Sequence, residues 1–200
     1  NYIKAIYHLQ QEAERVNTML LASTLETKPA SITDMLKKLK TKRLLDYKPY
    51  YGFKLSAEGN RVALGIIRRH RLWEFFLAEK LKFNWEEVHE MAEDLEHVSN
   101  KKLIDKLDAF LGYPKFDPHG DPIPDKEGKF QKIEKKLLST LKENQLGVCV
   151  GVNDSSSQFL KYLDRYQISL GQKIRVVSKE SFDGSVTILI NNKEMSISQK

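Results

Sequence analysis

Two neighbouring stretches decide the fold: Thr27-Lys28-Pro29-Ala30-Ser31-Ile32-Thr33-Asp34-Met35-Leu36-Lys37-Lys38-Leu39-Lys40 and Leu44-Leu45-Asp46-Tyr47-Lys48-Pro49-Tyr50-Tyr51-Gly52-Phe53-Lys54-Leu55. In the first, Thr27 offers a cap, and the fixed φ of Pro29 suits a first helical turn. Ile32, Met35, Leu36 and Leu39 then recur at i, i+3, i+4 and i+7, an apolar stripe that must face a core. The other face carries Ser31, Thr33, Asp34, Lys37, Lys38 and Lys40. In the second stretch β-prone arms flank Pro49-Tyr50-Tyr51-Gly52, which reads as a β-hairpin. Upstream, residues 18–25 read as a short helix, and Tyr2, Ile3, Ile6, Tyr7 and Leu9 mark the apolar face of an earlier one. Two helices meeting at a turn and followed by a hairpin make a winged helix-turn-helix, assigned to residues 1–63.

Working outward, residues 64–142 read as a helical domain. Helices are expected over 62–83, 85–98 and 100–111. A Pro/Gly/Asp-rich loop follows over 112–128, longer than structureless connections usually are without a function. Residues 146–200 read as β structure, with strands expected at 148–152, 173–177, 186–190 and 194–198, and turns at Asp183-Gly184 and Asn191-Asn192. A small barrel is the natural closure for strands this short. The fold class is therefore mainly α, with a small β-barrel at the C-terminal end.

The net charge of +6 is unevenly placed. Residues 28–54 hold eight Lys or Arg and two acids, whereas residues 86–108 hold eight acids and three lysines. The basic segment points to a polyanion partner. A recognition helix meets base edges with its N-terminal residues. Pro29, Ala30, Ser31, Thr33 and Asp34 are placed for that, and Lys37 and Lys38 for phosphates. Lys48 and Tyr50 at the hairpin tip are placed for the flanking backbone. The single cysteine, Cys149, excludes an intrachain disulfide and a Cys-rich zinc site. No apolar run approaches the roughly 20 residues that span a membrane, and no signal peptide is visible, so a cytoplasmic location is expected.

The acidic segment also holds histidines. His89, Glu93, Glu96 and His97 are spaced by 4, 3 and 1, which places them on one side of a continuous helix. His70 and Glu74 form an i, i+4 pair on the preceding helix. Asp117 and His119 flank a stiff Pro118 in the loop. A mixed imidazole and carboxylate set suits divalent Mn, Fe, Co, Ni or Zn. His8 stands apart and is read as structural.

Four stretches together carry a resemblance: Asn1-Tyr2-Ile3-Lys4-Ala5-Ile6-Tyr7; Pro29 to Leu39; Arg69-His70-Arg71-Leu72-Trp73-Glu74; and His89-Glu90-Met91-Ala92-Glu93-Asp94-Leu95-Glu96-His97-Val98. Over nearly its whole length the chain resembles the diphtheria-toxin-repressor family of iron- and manganese-dependent regulators. The resemblance implies a winged helix, a helical dimerisation and metal-binding domain, and an SH3-like, FeoA-like barrel that begins near Ser157-Gln158-Phe159-Leu160-Lys161-Tyr162-Leu163. It implies a primary metal site at Glu93, Glu96 and His97, and a second or ancillary site at His70, Glu74 and His89. It adds Asp117, His119 and Asp154 as donors from loop and barrel. Iron-type members have a cysteine where Glu93 stands, so an oxygen donor there favours Mn(II), with Fe(II) also compatible. The family usually has Asp or Met in place of Asn1, and Lys4 stands where some manganese-type members have a second carboxylate. The primary site is then completed by the Asn1 carbonyl, by an upstream residue or by water.

The expected function is a homodimeric repressor that binds a palindromic double-stranded operator and controls metal-uptake genes, with the metal as corepressor. It is not an enzyme. A metallohydrolase using the same donors would leave the basic helix and hairpin without a role. A winged-helix regulator indifferent to metal is the other alternative, its acids then being only solvated.

Overall fold

The computed structural model describes residues 2–13, 15–48, 50–84, 87–131, 135–152 and 156–198. Asn1 and Asp154, both named above as possible donors, lie outside them. The chain opens with helices α1 (Tyr2–Glu12), α2 (Thr18–Thr24) and α3 (Pro29–Thr41), then strands β1 (Leu45–Lys48) and β2 (Gly52–Leu55). Asn17 caps α2 by accepting from the Leu20 amide, and Pro29 opens α3. The stripe read from the sequence is what packs. Ile32 and Leu39 are buried with Ile6, Val16, Leu21, Leu45, Phe53 and Leu55, and Met35 and Leu36 pack against them. The Val16 amide donates to the Phe53 carbonyl at 2.8 Å, and the Phe53 amide donates back at 2.9 Å. Gly52 (φ +95°) is required there, because a Cβ would lie 2.4 Å from the Val16 carbonyl oxygen.

Helix α4 (Ala57–Glu79) starts on a Ser56 cap, runs unbroken into the helix read over 62–83, and ends earlier than that reading. Its first turns belong to the winged helix: Gly59 packs under the Leu44 carbonyl, and Ala63 is buried in that core. Its last turns place Leu77 and Ala78 in a different core, shared with the β structure. One rigid helix thus joins the two regions. Helices α5 (Val88–Leu95) and α6 (Lys101–Phe110) follow; α6 is capped by Asn100 and packs on α4 through Ile104 and Leu107.

The C-terminal part holds a 3-10 turn (Leu138–Thr140), strand β3 (Leu146–Val148), helix α7 (Ser157–Arg165), and strands β4 (Lys173–Lys179), β5 (Val186–Ile190) and β6 (Lys193–Ile197). The strands form one antiparallel sheet in the order β3-β4-β5-β6. Val186, Ile188 and Ile190 alternate inward, as a half-buried strand requires. The strand expected at 148–152 is corrected: β3 spans Leu146–Val148, backbone bonds to Gly171 and Gln172 continue through Cys149, and the chain then turns to run against the loop at Gly120. A Cβ at Gly151 would lie 1.9 Å from the Gly120 Cα, so glycine's lack of a side chain permits the crossing. Among the described residues no helix is long and apolar enough to cross a membrane.

Candidate metal centre and nucleic-acid interface

His70 and Glu74 stand one turn apart on α4, both buried, and His89 reaches them from the first turn of α5. Glu74 Oε1 lies 3.1 Å from His70 Nε2 and 3.0 Å from His89 Nδ1, and the two imidazole nitrogens are 3.2 Å apart. Two donors bound at about 2.1 Å to one ion, at 90 to 109°, are roughly 3.0 to 3.4 Å apart, so this triangle matches one face of a coordination polyhedron. Among the described residues it is the group of three donors able to hold a metal ion.

A fourth donor comes from the loop. His119 Nε2 lies 3.8 Å from Glu74 Oε1. Both His119 ring nitrogens are buried without a hydrogen-bond partner among the described residues. Buried polar atoms are almost always paired, so a buried, unpaired imidazole beside a carboxylate fits the donor set of a cation site. The loop is held by Asp117, whose Oδ1 accepts from the amides of His119 at 2.9 Å and Asp121 at 2.8 Å. Its Oδ2 lies 3.4 Å from Arg71 Nε. Arg71 also donates to the Pro122 carbonyl and pairs with Asp121. Arg71 was not legible as a site residue, because an arginine beside His70 on a helix carries no spacing signal.

The electrostatics follow from burial and pairing. Burial opposes the charged form of Glu74, but bonds from His70 and His89 overcome it and hold the carboxyl at about 2. Burial likewise opposes a charged His70, yet its bonds to Glu74 and Glu96 raise it to about 9. Burial, reinforced by the charge of Glu74, lifts Asp117 to about 7. Burial lowers His119, favouring the neutral ring a metal needs.

The expected convergence of His89, Glu93, Glu96 and His97 is corrected. Helix α5 ends at Leu95, so Glu96 is its C-cap and His97 lies in the turn beyond, exposed. His89 turns to Glu74, while Glu93 and Glu96 turn to Lys4 of α1. Lys4 Nζ donates to Glu93 Oε1 at 3.2 Å and to Glu96 Oε2 at 2.9 Å. The same Glu96 oxygen accepts from His70 Nδ1 at 2.9 Å. Burial works against the Glu96 charge, and the bonds from His70 and Lys4 hold it at about 2.

In the winged helix, Pro29, Ala30, Ser31, Thr33, Asp34, Lys37 and Lys38 are all exposed on α3. Thr33 Oγ1 donates to the Pro29 carbonyl, and Asp34 pairs with Lys37. Lys48 and Tyr50 are exposed at the hairpin, and Lys48 Nζ sits 4.4 Å over the Tyr51 ring.

A winged helix coupled through one helix to an imidazole–carboxylate cluster defines a class: DNA-binding regulators that answer to a metal ion. Comparison with known proteins agrees. The iron-dependent repressor N-terminal DNA-binding domain matches residues 1–53, the iron-dependent repressor metal-binding and dimerisation domain matches 56–125, and the FeoA domain matches 136–200. The HTH-type transcriptional regulator MntR of Oceanobacillus iheyensis is 32% identical over 117 residues, 58% of this chain and 79% of that protein. The iron-dependent repressor IdeR of Mycobacterium leprae is 29% identical over 123 residues, 62% of this chain and 54% of IdeR, about half its length. A solved manganese-dependent transcriptional repressor in complex with manganese is 32% identical, with a TM-score of 0.68 over 98% of this chain and 91% of that one. The chain belongs to the iron-dependent repressor family, whose members are metal-dependent DNA-binding transcriptional repressors and not enzymes.

Proposed function

We propose that this chain represses metal-uptake genes as a cytoplasmic homodimer, with Mn(II) or Fe(II) as corepressor, on a palindromic operator. The observation that carries the reading is the orphaned His119 imidazole set against the His70–Glu74–His89 triangle. These four residues would hold the ion, and a bound cation would supply a cross-link between α4, α5 and the loop. MntR and the solved manganese repressor are named for manganese and IdeR for iron. Three imidazoles and a carboxylate suit either ion.

The chain's own residues supply the transmission. His70 and Glu74 sit on the same helix that carries Gly59 and Ala63 in the winged-helix core. Holding α4 against α5 and the loop therefore restricts where α3 points. Two recognition helices in a dimer must match half-sites about one helical turn apart, so a restricted orientation raises affinity without new base contacts. Exposed Leu103 and Phe110 on α6 and Val98 before it are apolar enough for the dimer contact. Ser31, Thr33 and Asp34 would face base edges, with Lys37, Lys38 and Lys48 on phosphates.

The test is a gel-shift titration of a palindromic duplex with Mn(II) and with Fe(II) under reducing conditions. Affinity is expected to rise at least tenfold with metal and not to rise in His119→Ala/Glu74→Ala. An affinity indifferent to both ions rejects the reading.

A further inference from the structure

Lys4 crosses from the DNA-binding part to the metal-binding part, and its ammonium lies between two carboxylates. It is 3.2 Å from Glu93 Oε1 and 2.9 Å from Glu96 Oε2, and its side chain is largely buried. That is the position a cation must take to neutralise the pair. We propose that Lys4 is a tethered cation that fills the space between Glu93 and Glu96, so that each chain takes one metal ion, at His70, Glu74, His89 and His119, and none at the Glu93–Glu96 pair.

Three observations carry this. Glu96 Oε2 already accepts from both Lys4 Nζ and His70 Nδ1, and the residue is 2% exposed, so no solvent-side approach is left to that oxygen. His97, the third donor that the resemblance assigns to a site there, follows the C-cap of α5 and is exposed. A divalent ion bound to the same two oxygens would sit almost against the ammonium, and like charges at that separation repel strongly in a poorly solvated setting. The ammonium suits the place: it has three donors, two of them directed to these carboxylates.

The consequence is mechanical. Lys4 belongs to α1, which packs on α2 and β2 of the winged helix as well as on α4. The Lys4 link therefore holds the winged helix to α5 before any metal arrives, and metal at the other cluster acts on a joint that is already half made. Glu96, through His70 Nδ1, becomes a positioning residue for the metal-binding nitrogen on the far side of the ring.

The inference rests on the metal centre proposed above, and stoichiometry separates the two. Purified chain is dialysed to equilibrium against Mn(II), and bound manganese per chain is measured by elemental analysis. The wild type is expected to hold one ion, Lys4→Arg one, and Lys4→Glu two. Lys4→Gln removes the charge at nearly the same length, adds an amide oxygen, and is also expected to hold two, which keeps the test open if Lys4→Glu does not fold. Two ions in the wild type, or one ion in both Lys4→Glu and Lys4→Gln, overturns the proposal while leaving the metal centre intact. No ion in the wild type rejects the metal centre itself and this inference with it.

Discussion

His70 Nδ1 donates to Glu96 Oε2 at 2.9 Å while His70 Nε2 faces Glu74 Oε1 at 3.1 Å, so the ring is held from both sides. A carboxylate behind a metal-binding imidazole fixes its orientation and raises its basicity, and losing such a partner typically costs 10- to 100-fold in affinity. Glu96→Gln is therefore expected to weaken Mn(II) binding by about that factor without changing the number of ions bound, as isothermal titration calorimetry would read. Loss of an ion per chain would instead make Glu96 a ligand.

Glu74 is the oxygen on which three imidazoles converge. Glu74→Ala is expected to abolish Mn(II) binding measured by equilibrium dialysis. It should also reduce DNA affinity with metal to the metal-free value.

The same groups set a pH window for the metal-free protein. Glu74 and Glu96 fall from 4.5 to about 2, so their contribution to stability is present above 4.5 and is lost as pH falls through 2. His70 rises from 6.5 to about 9, so its contribution is present below 6.5 and is lost as pH rises through 9. Asp117 rises from 3.8 to about 7 and acts in the same sense as His70, losing stability across that range. Thermal unfolding in chelator is expected to show a maximum near pH 4.5 and a fall from there towards pH 9, through Asp117 first and His70 above pH 6.5. A midpoint that climbs from pH 6.5 to 9 would contradict the assignment.

The His119 loop depends on a backbone crossing. Gly151→Ala would put a Cβ 1.9 Å from the Gly120 Cα. Overpacking of this kind costs roughly 1 to 3 kcal/mol. The variant is expected to unfold at lower temperature and, by displacing His119, to bind Mn(II) more weakly. Unchanged metal affinity would remove the loop from the site.

On α3 the lysines and the N-terminal polar residues should separate in their effects. Lys37→Ala and Lys38→Ala are each expected to weaken binding to all duplexes and to lower the slope of log affinity against log salt by about 1. Ser31→Ala should change which duplex is preferred and leave the salt slope alone.

The winged helix was legible because its signals are local. Apolar residues at helical spacing and a Pro-Tyr-Tyr-Gly turn act over a few residues, and the buried set of Ile32, Leu39, Leu45, Phe53 and Leu55 follows from them. The i, i+4 pair His70 and Glu74 was legible for the same reason. His89 and His119 were visible as donor types, but their meeting with Glu74 depends on how α5 and the loop dock on α4. That docking is set by apolar packing far from any donor. Helical spacing also overreached: it grouped His89 with Glu93, Glu96 and His97, whereas His89 turns to Glu74 and both glutamates turn to Lys4. The sequence alone thus determined the DNA-binding half and the kinds of metal donor available. Only the tertiary structure decided which donor side chains meet at Glu74, and which carboxylates Lys4 pairs with, because those contacts join residues 15 to 92 positions apart whose separation no local pattern encodes.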